Sequence, residues 1–112
     1  MDGADLREYI EFEEGQAVRA PVFETERLFV QTVCLDQNGS YGPVSDAASD
    51  ALLTVLAGEA VFLIGKKRKR LKQWGAIVAP AAAELVITNA STEPLVVLMV
   101  IAPPPPPPAA NG

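Results

Sequence analysis

Apolar residues occur along this chain in short runs, and each run ends at a turn of glycine, proline, asparagine or charged residues. Runs of β-branched, aromatic and aliphatic residues bounded in this way are typical of β-strands. No long segment has the 3.6-residue periodicity of an amphipathic helix. A set of seven or more short strands separated by turns favours an all-β barrel or sandwich. The predicted strands cover 27–35, 51–56, 60–64, 67–72, 76–79, 85–88 and 95–101.

The composition describes one folded domain. The chain has 112 residues, of which 49% are hydrophobic, and a length of this order can bury a core without disulfides. No apolar run reaches the roughly 18 residues of a membrane-spanning helix, and the N-terminus lacks the basic and apolar regions of a signal peptide. Cys34 is the single cysteine, so no intrachain disulfide can form. We therefore expect a cytoplasmic protein that does not enter a membrane.

Charge is spread unevenly along the chain. The net charge is −5, with eight of the fourteen acids in residues 1–26 and six of the nine bases in residues 66–72. The basic run has no interleaved aromatic residues and belongs to an acidic chain. We therefore interpret it as a solvated hairpin that protects a sheet edge, and we expect no nucleic-acid partner.

Three parts can be distinguished. Residues 1–24 are predicted to be an N-terminal strand or extension that covers a barrel, and residues 25–102 to be the barrel itself. Residues 103–112 form a proline-rich tail, which we expect to be polyproline II or disordered because proline has no amide hydrogen to donate to a sheet.

Five residues carry a resemblance to a known family. Gly39 and Gly58 have the spacing of the two glycines in the first cupin motif, which also contains two histidines and a glutamate. Gly75, Pro80 and Asn89 match the glycine, proline and asparagine of the second motif, which contains a further histidine. Residues 25–102 thus resemble a small cupin, and the resemblance implies a double-stranded β-helix barrel of the jelly-roll type.

The resemblance also places the four metal ligands of cupins, and none of them is present. The positions are Ser45, Ala47, Ala51 and Leu85, and the chain has no histidine at all. None of these side chains offers the imidazole or carboxylate donor that a transition metal needs. Neighbouring Asp46 lies one residue out of register, where a strand would point it to the opposite face. We therefore expect no metal, no cofactor and no metal-dependent catalysis.

Alternation along the strands predicts which side chains face the barrel interior. If Ala51 and Leu85 point inward, residues two and four positions further do so too. Loss of the ligands then leaves either a filled core or a small apolar pocket, and a cavity above about 300 Å³ would favour the pocket. The predicted lining residues are Gln31, Cys34, Tyr41, Ser45, Ala47, Ala51, Leu53, Leu85 and Ile87.

The opposite faces of the same strands are predicted to be outward. Leu52 and Leu56 would then be exposed, and Phe62 and Ile64 would extend this apolar patch. An exposed apolar strand face needs a partner, so we expect a homodimer.

Three functions remain open on the sequence. The first is a metal-free, non-catalytic domain that binds a small, largely apolar ligand or acts as a dimeric interaction module. The second is a metal-independent isomerase or cyclase that uses Tyr41, Glu84 or another acid at the barrel mouth for proton transfer. The third is a dimeric scaffold with a filled barrel. Cys34 has no histidine to activate it as a nucleophile, so we interpret it as a core residue.

Overall fold

The protein folds into two antiparallel β-sheets that face each other. The computed structural model describes residues 2–105, so the proline tail from 106 to 112 lies outside the described residues. A short 3-10 helix, Leu6–Tyr9, precedes the strands. The strands are β1 (Ala17–Glu24), β2 (Phe29–Leu35), β3 (Ser40–Val44), β4 (Asp50–Ala57), β5 (Glu59–Ile64), β6 (Lys67–Lys72), β7 (Ala76–Ala79), β8 (Leu85–Asn89) and β9 (Leu95–Ala102).

The larger sheet has the order β1-β2-β9-β4-β7, and the smaller one has the order β3-β8-β5-β6. All of the pairs are antiparallel. The all-β prediction is confirmed. Strand β3 was missed, because its five residues include Gly42 and Pro43 and look like a turn.

Period-two alternation sets the core. Ala51, Leu53 and Val55 of β4 are buried, while Leu52 between them is exposed. On β8, Leu85, Ile87 and Asn89 are buried in the same way. The inward set predicted for these two strands is confirmed.

Strand β5 corrects one expectation. Phe62 was expected to face outward, but it is fully buried in the core, and Ile64 packs against that core. The side chains that point outward from β5 are Val61 and Leu63. Ala60 and Phe62 pair directly with Asn89 and Ile87 of β8, which are buried. Because paired residues share a face of the sheet, the even-numbered residues of β5 point inward.

The N-terminal segment covers part of the outer face of the larger sheet. Thr32 on β2 donates its hydroxyl hydrogen to the carbonyl oxygen of Tyr9 over 2.7 Å. Thr32 and its outer-face neighbours Cys34 and Val96 are all buried. Strand β1 pairs with β2 along its length, so the N-terminal residues extend the sheet and also cover it.

The basic run forms β6, which is an edge strand of the smaller sheet. Its residues 67–70 are exposed. Within the described part of the chain, no helix is long and apolar enough to cross a membrane.

Candidate functional site

Three of the four degenerate ligand positions surround one cavity between the sheets. Ala51 enters it from β4 and Leu85 from β8, both from the buried inner face. Ser45 lies at its rim, just after β3. Ala47 is exposed and is not among the residues that line the cavity.

The cavity has a volume of about 260 Å³. This is a little below the range of roughly 300–1,000 Å³ that is usual for small-molecule pockets. The barrel is therefore neither filled nor as open as a pocket for a drug-sized molecule. The lining is mainly apolar, and its apolar members include Phe29, Val44, Ala51, Ala79, Pro80, Ala83, Leu85, Met99 and Ile101.

Gln31 is one of two buried polar residues that line this cavity, the other being Ser49. It lies on β2 between Pro21 of β1 and Met99 of β9, and only 3% of its surface is exposed. Its amide nitrogen donates to the Sδ of Met99 over 3.4 Å, and a thioether sulfur is a weak acceptor. No hydrogen bond to its carbonyl oxygen is found among residues 2–105, and Gln31 is one of the residues that line the cavity.

The rim carries polar and charged groups. Tyr41, Ser45 and Asp46 are among its lining residues. One oxygen of Asp46 accepts a hydrogen bond from the amide of Ala48 over 2.9 Å. The Arg19 guanidinium lies 5.7 Å from the centre of the Tyr41 ring, within the range of a cation–π interaction.

Four of the predicted lining residues lie elsewhere. Ala47 is on the outside of the loop, while Leu53 and Ile87 are fully enclosed deeper in the core. Cys34 is on the other side of the larger sheet, under the N-terminal segment, because residues 31 and 34 of one strand point to opposite faces. Burial there raises the pKa of the Cys34 thiol.

Several lining residues were not identified from the sequence. Met99 and Ile101 alternate with the inward Val97 on β9, so the period of that strand could have indicated them. Arg19 had only a weak signal, an isolated base in an acidic segment. Ser49 donates to the carbonyl oxygen of Pro103 over 2.6 Å, and this contact holds the start of the proline tail beside the cavity. Glu84 is exposed and outside the lining.

The residues at this site do not fit a transition metal. Of the four ligand positions, only Ser45 has a donor atom in its side chain. Within residues 2–105, no group of three or more cysteine, aspartate or glutamate side chains is arranged to hold an ion.

A second groove, of about 580 Å³, lies between the edge strands β6 and β7. Ile64, Leu71 and Ile77 form its apolar floor, and Lys67 and Arg68 are on its side. It contains none of the four ligand positions, and it adjoins the barrel cavity at Pro80 and Ala83, which line both.

No protein-family model matches this chain, and no curated protein matches it either. Solved structures do match. TT1209 from Thermus thermophilus is 28% identical, with a TM-score of 0.88 over 94% of this chain and 100% of that chain. An uncharacterized conserved protein with a double-stranded β-helix domain from Klebsiella pneumoniae is 22% identical, with a TM-score of 0.86 over 92% of this chain and 90% of that one.

A third similar structure is an RmlC-like cupin protein from Desulfovibrio desulfuricans. It is 23% identical, with a TM-score of 0.82 over 93% of this chain and 98% of that chain. The two neighbours below 25% identity establish the fold alone. The resemblance drawn from the two glycine motifs is confirmed at that level.

Proposed function

Since this chain has the cupin fold, we propose that its barrel binds a small, largely apolar molecule without a metal ion. The observation that carries the proposal is Gln31. Its amide lines the cavity, and the one side-chain hydrogen bond found for it among residues 2–105 is to a weak sulfur acceptor, so its carbonyl oxygen is free to accept a hydrogen bond from a ligand. A ligand that donates an N–H or O–H hydrogen to the Gln31 carbonyl oxygen would supply the missing partner.

The surroundings of Gln31 match the usual composition of a ligand pocket, which is apolar with a few placed polar groups. Phe29, Met99 and Leu85 provide apolar contact, and Ala51 leaves space where a larger side chain would fill it. The volume of about 260 Å³ limits the ligand to a small molecule.

Phenol and toluene test this proposal as a matched pair, because they differ in one hydroxyl donor. Titrated into ¹⁵N-labelled protein with a chelator present, both are expected to shift the amide signals of β2 and β9. Replacing Gln31 by methionine, which is apolar and similar in size, should lower the affinity for phenol about fivefold to tenfold. The affinity for toluene should stay the same or increase. Gln37→Met, on the exposed turn after β2, is the control. Absence of binding by both probes would contradict the proposal.

We further propose that the domain works as a homodimer through the outer face of its larger sheet. Val100, Leu52 and Val78 lie side by side across β9, β4 and β7. Leu52 is 43% exposed and Val78 55% exposed, whereas the outer face of β2 is already covered by the N-terminal segment. A second copy that packs on this row would bury an apolar surface that is unfavourable in water.

The metal-independent enzyme remains the alternative function, because two residues that carry a group for proton transfer line the cavity. They are Asp46 and Tyr41. Glu84 lies outside the lining and is no longer a candidate. Mass analysis of a molecule retained on purification distinguishes the two functions: the wild type and Asp46→Asn hold the same compound if the domain only binds, and different compounds if it converts its substrate.

A further inference from the structure

Arg19 is a charged residue on the inner face of an edge strand. It stands opposite Val33 in the β1–β2 register, and Val33 is fully buried in the core. Residues directly opposite each other in an antiparallel pair share a face, so the Arg19 side chain leaves β1 toward the cavity side of the sheet. Its guanidinium reaches the rim, where it lies over the Tyr41 ring.

The guanidinium is available to a ligand. Among the described residues, Arg19 makes no ion pair; the ion pairs found there join Arg7 to Asp5 and Arg70 to Glu59. The contact with Tyr41 is to the aromatic ring, which takes up no hydrogen-bond acceptor, so the N–H groups of the guanidinium remain available to a planar acceptor. A carboxylate matches these N–H groups because its two oxygens accept two parallel hydrogen bonds.

Asp46 limits the charge that the rim accepts. Asp46 also lines the cavity, and one oxygen of its carboxylate accepts a hydrogen bond from the Ala48 amide. A single negative charge at Arg19 can be accommodated beside it, whereas a second negative charge on the same ligand would be repelled. The rim is therefore suited to monoanions and unsuited to dianions.

We propose that the ligand of this cavity is a small monocarboxylate with a short apolar body, held at the rim by Arg19. The carboxylate binds the guanidinium edge, and the apolar body enters the cavity toward Met99 and Gln31. This inference rests on the proposed binding function and adds the chemical class of the ligand. A purely protective role for Arg19, keeping the edge strand β1 from pairing with other chains, would give no such selectivity.

Four substituted benzenes of similar size test the inference by titration at low ionic strength: benzoate, neutral benzamide, cationic benzylamine and dianionic phthalate. Benzoate is expected to bind the most tightly. Arg19→Gln should lower the affinity for benzoate about tenfold and change the affinity for benzamide by no more than about twofold. Arg19→Lys should restore part of the lost benzoate affinity. Asp46→Asn should strengthen phthalate about fivefold. Arg27→Gln, which removes the same charge from an exposed residue outside the lining, is the matched control.

The outcomes separate this inference from the binding function on which it rests. If phenol and toluene bind in a Gln31-dependent manner but benzoate binds no better than benzamide, or ignores Arg19→Gln, the carboxylate inference is overturned and the binding function stands. If benzylamine binds the most tightly, the inference is overturned in the same way. If none of the aromatic probes binds, both are overturned.

Discussion

Two buried amides in the core make opposite uses of their hydrogen-bonding atoms. Asn89 donates to the carbonyl oxygens of Leu35, Asp36 and Glu93 and accepts from the amide of Ser91. Its side chain thus ties β8 to the end of β2 and to the turn before β9. Gln31 is equally buried, yet makes only the weak contact with Met99. Burial alone therefore does not distinguish a structural amide from one that is available to a ligand.

The two amides are expected to respond differently to apolar replacement. Asn89→Leu leaves three carbonyl oxygens and one amide without their partner and should lower the free energy of unfolding by about 2–4 kcal/mol. Gln31→Met removes one poorly partnered group and should change it by less than about 1 kcal/mol, or raise it. Urea unfolding followed by circular dichroism measures both. Equal losses in the two variants would show that Gln31 is structural.

The glycine motif has a steric explanation at Gly58. This residue has φ +85°, and a Cβ placed there would lie 2.5 Å from the carbonyl oxygen of Pro94. Gly65 also has positive φ, but open space surrounds its Cα. Gly58→Ala combines strain with a clash and should cost about 2–4 kcal/mol, whereas Gly65→Ala should cost about 1 kcal/mol from strain alone. Thermal unfolding of the two variants tests the difference, and similar values for both would contradict the steric account.

The Cys34 thiol gives a pH-dependent prediction. Because burial raises its pKa in the folded protein, the thiol stays neutral there while it ionises in the unfolded chain above about pH 8.5. Its contribution to stability is therefore complete below that pH and is lost as pH rises through the alkaline range. Between pH 7.5 and 10, the free energy of unfolding should fall more in the wild type than in Cys34→Ala. The same fall in both proteins would show that the thiol does not contribute.

At the level of elements, the N-terminal segment is the part that the strand pattern described least. Its charges and isolated apolar residues predicted a strand or extension that covers the barrel, and the structure places it over Thr32 and Cys34 on β2. A covering layer of this kind leaves no periodic signal, because a few contacts and one hydrogen bond to Tyr9 fix it. Strand β3 was hidden for a related reason, since Gly42 and Pro43 interrupt its pattern.

Removing this cover should expose the thiol. Deletion of residues 2–12 is expected to increase the rate at which a thiol reagent modifies Cys34 in the native protein by about tenfold or more, since accessibility limits the reaction. The fully unfolded forms of both proteins should react at the same rate, which controls for intrinsic reactivity. A native rate that the deletion leaves unchanged would show that the sheet itself protects the thiol.

The site could be predicted from the sequence only where it was known which alternate residues of a strand face the interior. The cupin spacing anchored Ala51 and Leu85, and alternation then gave Leu53 and Ile87 correctly as inward residues. The motif spacing identified no inward residue on β5, so Phe62 was predicted on the wrong face of the sheet. Gln31 and Cys34 could not both line the cavity, because three positions separate them on one strand. The positions of Arg19 and Asp46 at the cavity depend on how an edge strand and a loop come together in the fold. No local sequence pattern predicts that.

At the level of the whole molecule, one row of apolar side chains crosses the outer face of the larger sheet. The row of Val100, Leu52 and Val78 is on the larger sheet, and the basic edge strand β6 is on the smaller one. This asymmetry supports a contact between two copies through the larger sheet. Charge on the opposite sheet would hinder close packing there.

Leu52→Asp tests the dimer. The variant places a charge at the centre of the apolar row and is expected to convert a dimer to a monomer in analytical ultracentrifugation without loss of the folded signal. Leu63→Asp is the control, because Leu63 is 38% exposed on the smaller sheet, away from the row. A monomeric wild type at all concentrations, or equal dissociation in both variants, would contradict the proposed interface.

The central claim is that this cupin barrel binds small molecules with its own side chains and without a metal. Native mass spectrometry tests it most directly, on protein purified from metal-supplemented medium and then mixed with phenol or benzoate. We expect the mass of one chain, or of two chains, plus bound probe and without a metal. The fraction of protein that carries phenol should be lower in Gln31→Met than in the wild type. A stoichiometric transition metal whose removal abolishes probe binding would contradict the central claim.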